Sequence, residues 1–171
     1  MTKTFQNVAL FPDMTVVENV LTGGLAHHPL KVARKSAEQA LHRVGISAIA
    51  DKLVTDLTFS EKALVEVARA LCTSPRVLLL DEVMAALTDV EMCAVLDLIR
   101  SLRDEGLTVI VVEHHMRAIM ALCDRLLVLN FGELIRDGSP AEVSRCPLVI
   151  EAYLGSSLTE MDKVSGARAH A

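Results

Sequence analysis

Two short aliphatic runs, Arg76–Leu80 (RVLLL) and Leu107–Val112 (LTVIVV), flank one capped amphipathic segment, and this arrangement constrains the chain more than any other feature. Leu107–Val112 is apolar and β-branched, so it reads as a strand buried on both faces. Between the runs, Thr88 and Glu91 form a T-x-x-E capping box. Val95, Leu98, Ile99 and Leu102 follow at helical spacing, and Gly106 ends the segment. Two strands joined by a helix of this length make a βαβ unit, in which the strands run parallel. The expected fold class is therefore α/β with a mostly parallel sheet.

The remaining elements fit around that unit. A short helix is expected over Met116–Cys123, then a hairpin of Arg125–Asn130 and Glu133–Arg136 about Phe131-Gly132. Ser139-Pro140-Ala141-Glu142 starts a last helix, expected to run to about Leu154. Upstream of Arg76 the pattern is helical. Ala33, Ala37, Ala40, Leu41 and Val44 share one face up to Gly45, and Leu64, Val67, Ala68 and Leu71 repeat the pattern behind Ser60. No strand is expected within residues 12–75.

Composition removes several function classes. Lys plus Arg total 17 against 22 Asp plus Glu, a net charge of -5 without a basic run, which argues against nucleic-acid binding. One Tyr, four Phe and no Trp leave little for base stacking. Cys72, Cys93, Cys123 and Cys146 form no CxxC pair and read as small buried hydrophobes of a reducing compartment. No apolar stretch approaches the ~20 residues of a membrane helix, so a cytoplasmic location is expected.

Three features carry chemistry. Asp81-Glu82 ends an aliphatic strand, at the sheet edge where α/β folds bind ligands. One carboxylate there can hold Mg²⁺ and the next can polarise a water. His114 follows the second strand, placed to meet a phosphate or orient a water. Leu57-Thr58-Phe59-Ser60-Glu61-Lys62 leads into a helix whose free amides and hydroxyls suit an anion. Taken singly, each also has an ordinary reading: a solvated acidic strand end, a pair of surface histidines with His115, and a Ser60 N-cap.

Order and spacing together resemble the ATP-binding subunit of an ABC transporter, with the nearest likeness to the branched-chain amino acid (Liv-type) importer ATPases. Thr4–Asn7 and Leu10–Val20 look like the Q-loop and the start of the helical subdomain. Leu57–Leu71 (LTFSEKALVEVARAL) is similar to the signature segment, and Val77–Leu87 (VLLLDEVMAAL) to Walker B with its D-loop. Val109–Met116 (VIVVEHHM) resembles the switch-histidine strand, and Gly132–Gly155 the group's ending. The likeness covers residues 4–155.

The resemblance implies a partial P-loop NTPase (ABC ATPase) domain with an α-helical subdomain. Its parts would be a Q-loop segment (1–11), a helical subdomain with a degenerate signature (12–75), a core part with Walker B, D-loop, switch histidine and carboxyl-terminal helices (76–155), and a disordered tail (156–171). Gln6 would contact Mg²⁺ or water and report nucleotide state, Asp81 would hold the Mg²⁺ shell, Glu82 would be the catalytic base, and His114 would touch the γ-phosphate. Thr58, Ser60 and Glu61 would reach ATP across a dimer. ATP and Mg²⁺ are the implied cofactors. A second ATP-binding subunit and membrane permease subunits are the implied partners, holding the chain at the inner face of the cell membrane.

The sequence also departs from that pattern. None of its eight glycines precedes a lysine, so G-x-x-x-x-G-K-[ST] does not occur in it. Thr58 and Ser60 stand where the signature has serine and glycine. Val83 replaces the proline after the Walker B glutamate, Ala86 the D-loop glycine, Ala63 an arginine or glutamine, and His115 an aspartate. The chain is accordingly expected to be the carboxyl-terminal two-thirds of an importer ATPase, inactive alone and exposing Leu107–Val112 as an apolar edge. The alternative is a non-catalytic module that docks on the membrane subunit.

Overall fold

Leu78 and Leu80, alternate residues of one five-residue strand, are both fully buried. In the computed structural model, which describes residues 2–3, 10–84 and 87–153, this strand lies between two others. The sheet order is β1 (Thr2–Lys3), β2 (Val77–Asp81), β3 (Thr108–Val112), all parallel, as the βαβ pattern predicts. Thr2 stands opposite Leu78, and Val77 to Asp81 pair in sequence with Thr108 to Val112. β1 was not anticipated, because Thr2-Lys3 has no strand composition of its own; it pairs with the free edge of a strongly apolar neighbour.

β3 differs from expectation. Its burial alternates, with Ile110 46% and Val112 50% exposed, instead of being complete. Among the described residues it pairs on one side only, with β2, and it is covered on one face. The crossover from β2 to β3 is α4 (Asp89–Asp104), with the Thr88/Glu91 box formed in full. Val95, Ile99 and Leu102 are buried as expected. Leu96 joins them in place of Leu98, which is only half-buried. α5 (Met116–Leu122) follows β3.

The crossover from β1 to β2 is a helical body. α1 (Val16–Leu25), α2 (Leu30–Val44) and α3 (Phe59–Cys72) each pack on the other two. All five residues predicted to face inward on α2 are buried, and Gly45 closes the helix at φ 79°, the left-handed turn that glycine allows. α1 approaches α3 closely: a Cβ on Gly23 would collide with the Arg69 carbonyl, and one on Gly24 would lie 2.9 Å from the Cys72 Sγ. Within the first turn of α1, the fully buried Asn19 accepts from the Phe11 amide at 2.8 Å. Its Nδ2 reaches the Phe11, Met14 and Thr15 carbonyls at 3.0–3.4 Å. That one amide ties the chain leaving the sheet to the helix it enters. Thr15/Glu18 and Thr58/Glu61 are complete capping boxes, so Thr58, not Ser60, caps α3. The T-x-x-E spacing was present at both places.

Residues 1–122 form one compact unit and 123–171 a second. In the second, β4 (Leu126–Asn130) and β5 (Glu133–Gly138) make the expected antiparallel hairpin. Phe131 and Gly132 both have positive φ, 48° and 85°, the pattern of a type I′ turn. Arg125 grips Asp137 through two bonds, 2.8 and 2.6 Å. α6 (Pro140–Val143) starts at Ser139 as predicted, but it stops after one turn and helix resumes over 147–153. The single helix expected to about Leu154 is broken because Pro147 disfavours helical backbone at Cys146. The expected tail, 156–171, lies outside the described residues. All four cysteines are free, but only Cys72 is buried; Cys93 is exposed and Cys123 and Cys146 half-buried, a correction to the uniform reading.

Candidate functional site

The register of β2 and β3 builds the site. Asp81 is the last residue of β2, level with Val112. The ladder continues one bond further, from the Glu82 amide to the Val112 carbonyl at 2.9 Å. There the chain turns: Glu82 has φ 51°, a left-handed conformation that costs a non-glycine residue about 1–2 kcal/mol. Val83 and Met84, both buried, anchor the turn, and the Met84 amide donates to Glu113 Oε1 at 2.9 Å. Held in this way, Glu82 places Oε1 3.9 Å from His114 Nδ1, with both side chains partly exposed. Two residues 32 positions apart in sequence thus meet at the carboxyl edge of parallel strands, where α/β sheets take ligands. Asp81 and Glu82 are half-buried hard-oxygen donors, a set that suits Mg²⁺, an ion that would supply charge neutralisation on phosphate oxygens. Gln6, assigned to the same centre by resemblance, lies outside the described residues.

The other assigned residues cluster at the start of α3. The Thr58 hydroxyl accepts from the Glu61 amide at 3.2 Å, and Glu61 Oε2 accepts from the Thr58 amide at 2.8 Å. The two hydroxyls of Thr58 and Ser60 are 3.1 Å apart. The Ser60 hydroxyl is also the first of the groups that hold the Glu91 carboxyl down to about 2, followed by the Thr88 amide and hydroxyl. The hydroxyls and carboxylate read as ligand groups are engaged within their own helix terminus.

Sequence reasoning passed over Glu113. Its side chain has no exposed surface; Oε1 takes the Met84 amide and Oε2 lies 3.5 Å from His115 Nδ1. The readable signal was three consecutive proton- or metal-binding side chains directly after a strand.

Known proteins share this fold and much of this sequence. Residues 1–85 match the family described as ABC transporter. The chain is 36% identical over 172 residues to the high-affinity branched-chain amino acid transport ATP-binding protein BraF of Pseudomonas aeruginosa, covering 91% of this chain and 68% of BraF. It is 33% identical over 174 residues to LivG of Escherichia coli K12, a protein of the same description, with the same coverage. Among solved structures, the ADP conformation of an ATP-binding cassette of an ABC transporter superposes with a TM-score of 0.79 at 26% identity, over 90% of this chain and 68% of that one. A nucleotide-free cassette gives 0.78 at 24%, over 89% and 67%. Sequence and fold agree, and the chain belongs to the ATP-binding proteins of the ABC transporter family.

Proposed function

We propose that the chain serves as the ATP-binding, energy-coupling subunit of an ABC importer, with branched-chain amino acids as the transported class. The observation that carries this reading is the Glu82–His114 pair at the carboxyl edge of β2 and β3. A carboxylate beside an imidazole there can take a proton from water attacking a γ-phosphate while the imidazole meets the phosphate. Asp81 serves Mg²⁺, and Gln6 reports nucleotide state. The likeness to BraF and LivG supports the solute class. ABC importer ATPases work with membrane permease subunits. Among the described residues no helix is long and apolar enough to cross a membrane, in keeping with a chain held at the inner face through such partners.

A second reading, a docking module without turnover, draws on one observation. Thr58 and Glu61 cap their own helix, and the Ser60 hydroxyl lies 3.1 Å from that of Thr58. Equilibrium binding of fluorescent MgATP and phosphate release by the chain separate the two. Saturable binding, with Glu82→Gln retaining ATP and slowing phosphate release roughly 100-fold or more, is the outcome expected of a catalytic base. No binding by either form would favour the docking module.

A further inference from the structure

β3 ends in Glu113-His114-His115, each with one donor atom within 4.8 Å of the others'. Two of these atoms make no hydrogen bond, although they lie within ion-pair distance of each other. Among the described residues, Glu113 Oε2 and His115 Nδ1 are buried without a hydrogen-bond partner, 3.5 Å apart. That separation is long for an N–H···O bond. It matches the edge of a zinc tetrahedron, in which nitrogen and oxygen donors at about 2.0–2.2 Å from the ion stand roughly 3.4 Å from one another. A buried carboxylate oxygen is a costly group to leave unmatched, and the Met84 amide on Oε1 fixes the carboxylate that carries it. The His114 ring lies beside that of His115, centroids 4.5 Å apart and planes tilted by 33°, with most of its surface exposed.

We propose that Glu113, His114 and His115 form a binding site for a divalent transition-metal ion of the zinc class, with the fourth position open to water. Two imidazoles and one carboxylate favour such an ion over Mg²⁺. The site adjoins the turn that carries Glu82, through the Met84 bond to Glu113 and the Glu82–His114 contact. An ion seated there draws His114 away from Glu82, so it competes with the pairing described above. Only this competition rests on the ATPase reading; the metal site itself does not.

Zn²⁺ titration of the 171-residue chain against a chromophoric chelator, with Co²⁺ as spectroscopic probe, tests the site without nucleotide. Expected are one equivalent bound, a Co²⁺ spectrum without thiolate charge transfer, and affinity lowered roughly tenfold or more by His115→Ala and by Glu113→Gln. In the unaltered chain Zn²⁺ should shift the ring ¹⁵N resonances of His114 and His115, a readout that does not depend on any variant folding. A double His27→Ala, His28→Ala variant should bind as the parent does. No binding, binding unchanged by His115→Ala, a thiolate signature, or shifts confined to other histidines would overturn the proposal.

Discussion

At the scale of single residues, the Glu91 carboxyl is strongly perturbed, held to about 2 from an ordinary 4.5 by the Ser60 hydroxyl, then by the Thr88 amide and hydroxyl. A carboxyl that binds its proton less readily in the folded chain than in the unfolded one stabilises the fold at pH above about 4.5. That contribution is lost as pH falls from there toward 2. Acid melts of the parent and of Glu91→Gln should therefore converge between pH 4.5 and 2.5, with the parent the more stable above that window. Parallel curves would show that the Ser60 and Thr88 bonds do not favour the charged form. Glu18, Glu142 and Asp137 are displaced in the same direction, so the difference between the two curves, not the parent's slope alone, reports Glu91. The T-x-x-E spacing announced half of this environment. The influence of Ser60 could not be read, because it stands 31 residues away in the sequence.

At the scale of elements, helix starts were the most legible feature and helix packing the least. Four boxes, at Thr15, Thr58, Thr88 and Ser139, form with both reciprocal bonds, because a box needs only local spacing and an acidic side chain three residues on. What decides the contact of α1 with α3 is the absence of side chains at Gly23 and Gly24, and a glycine pair inside a helix signals nothing by itself. Gly23→Ala should nonetheless destabilise by about 1–3 kcal/mol despite alanine's better helix propensity, since its Cβ would meet the Arg69 backbone, which cannot rotate away. Urea unfolding measures this, and a gain in stability would mean that the helices separate freely. The Glu82–His114 pair was legible in part: each residue sits at a predicted strand end, but only the register of β2 on β3 brings them together. The failed expectation of a continuous last helix was also local, since Pro147 stood in plain view.

At the scale of the whole chain, β3 presents the most consequential surface. The Thr108 amide is donated to Arg76, so in a parallel ladder the amides of Val109 and Val111 face away from β2. They should exchange with solvent within the fast class, while the Ile110 amide, directed at β2, is slowed. Protection at Val109 and Val111 in a monomeric sample would show that another strand covers that edge. With Ile110 and Val112 also exposed, the same edge is, among the described residues, open to pairing with another chain. The strand–helix–strand pattern correctly gave an α/β fold; how many strands flank β3 is a matter of tertiary pairing that no local pattern encodes.

The adjacency of β1 and β2 has a mechanical meaning. They run parallel, and the chain between them, with all of α1 to α3, leaves β1 at one edge of the sheet and returns to β2 at the opposite edge. Tension applied through that span draws β1 forward and β2 backward along their common axis. The Thr2–Leu78 and Lys3–Leu79 pairings are then loaded in shear, where they must yield together, instead of being peeled apart one after the other. The 2.8 Å bond between the Thr2 and Thr73 hydroxyls fastens the base of the span, so a pull on the helices is delivered to the strand that ends at Asp81, directly before Glu82.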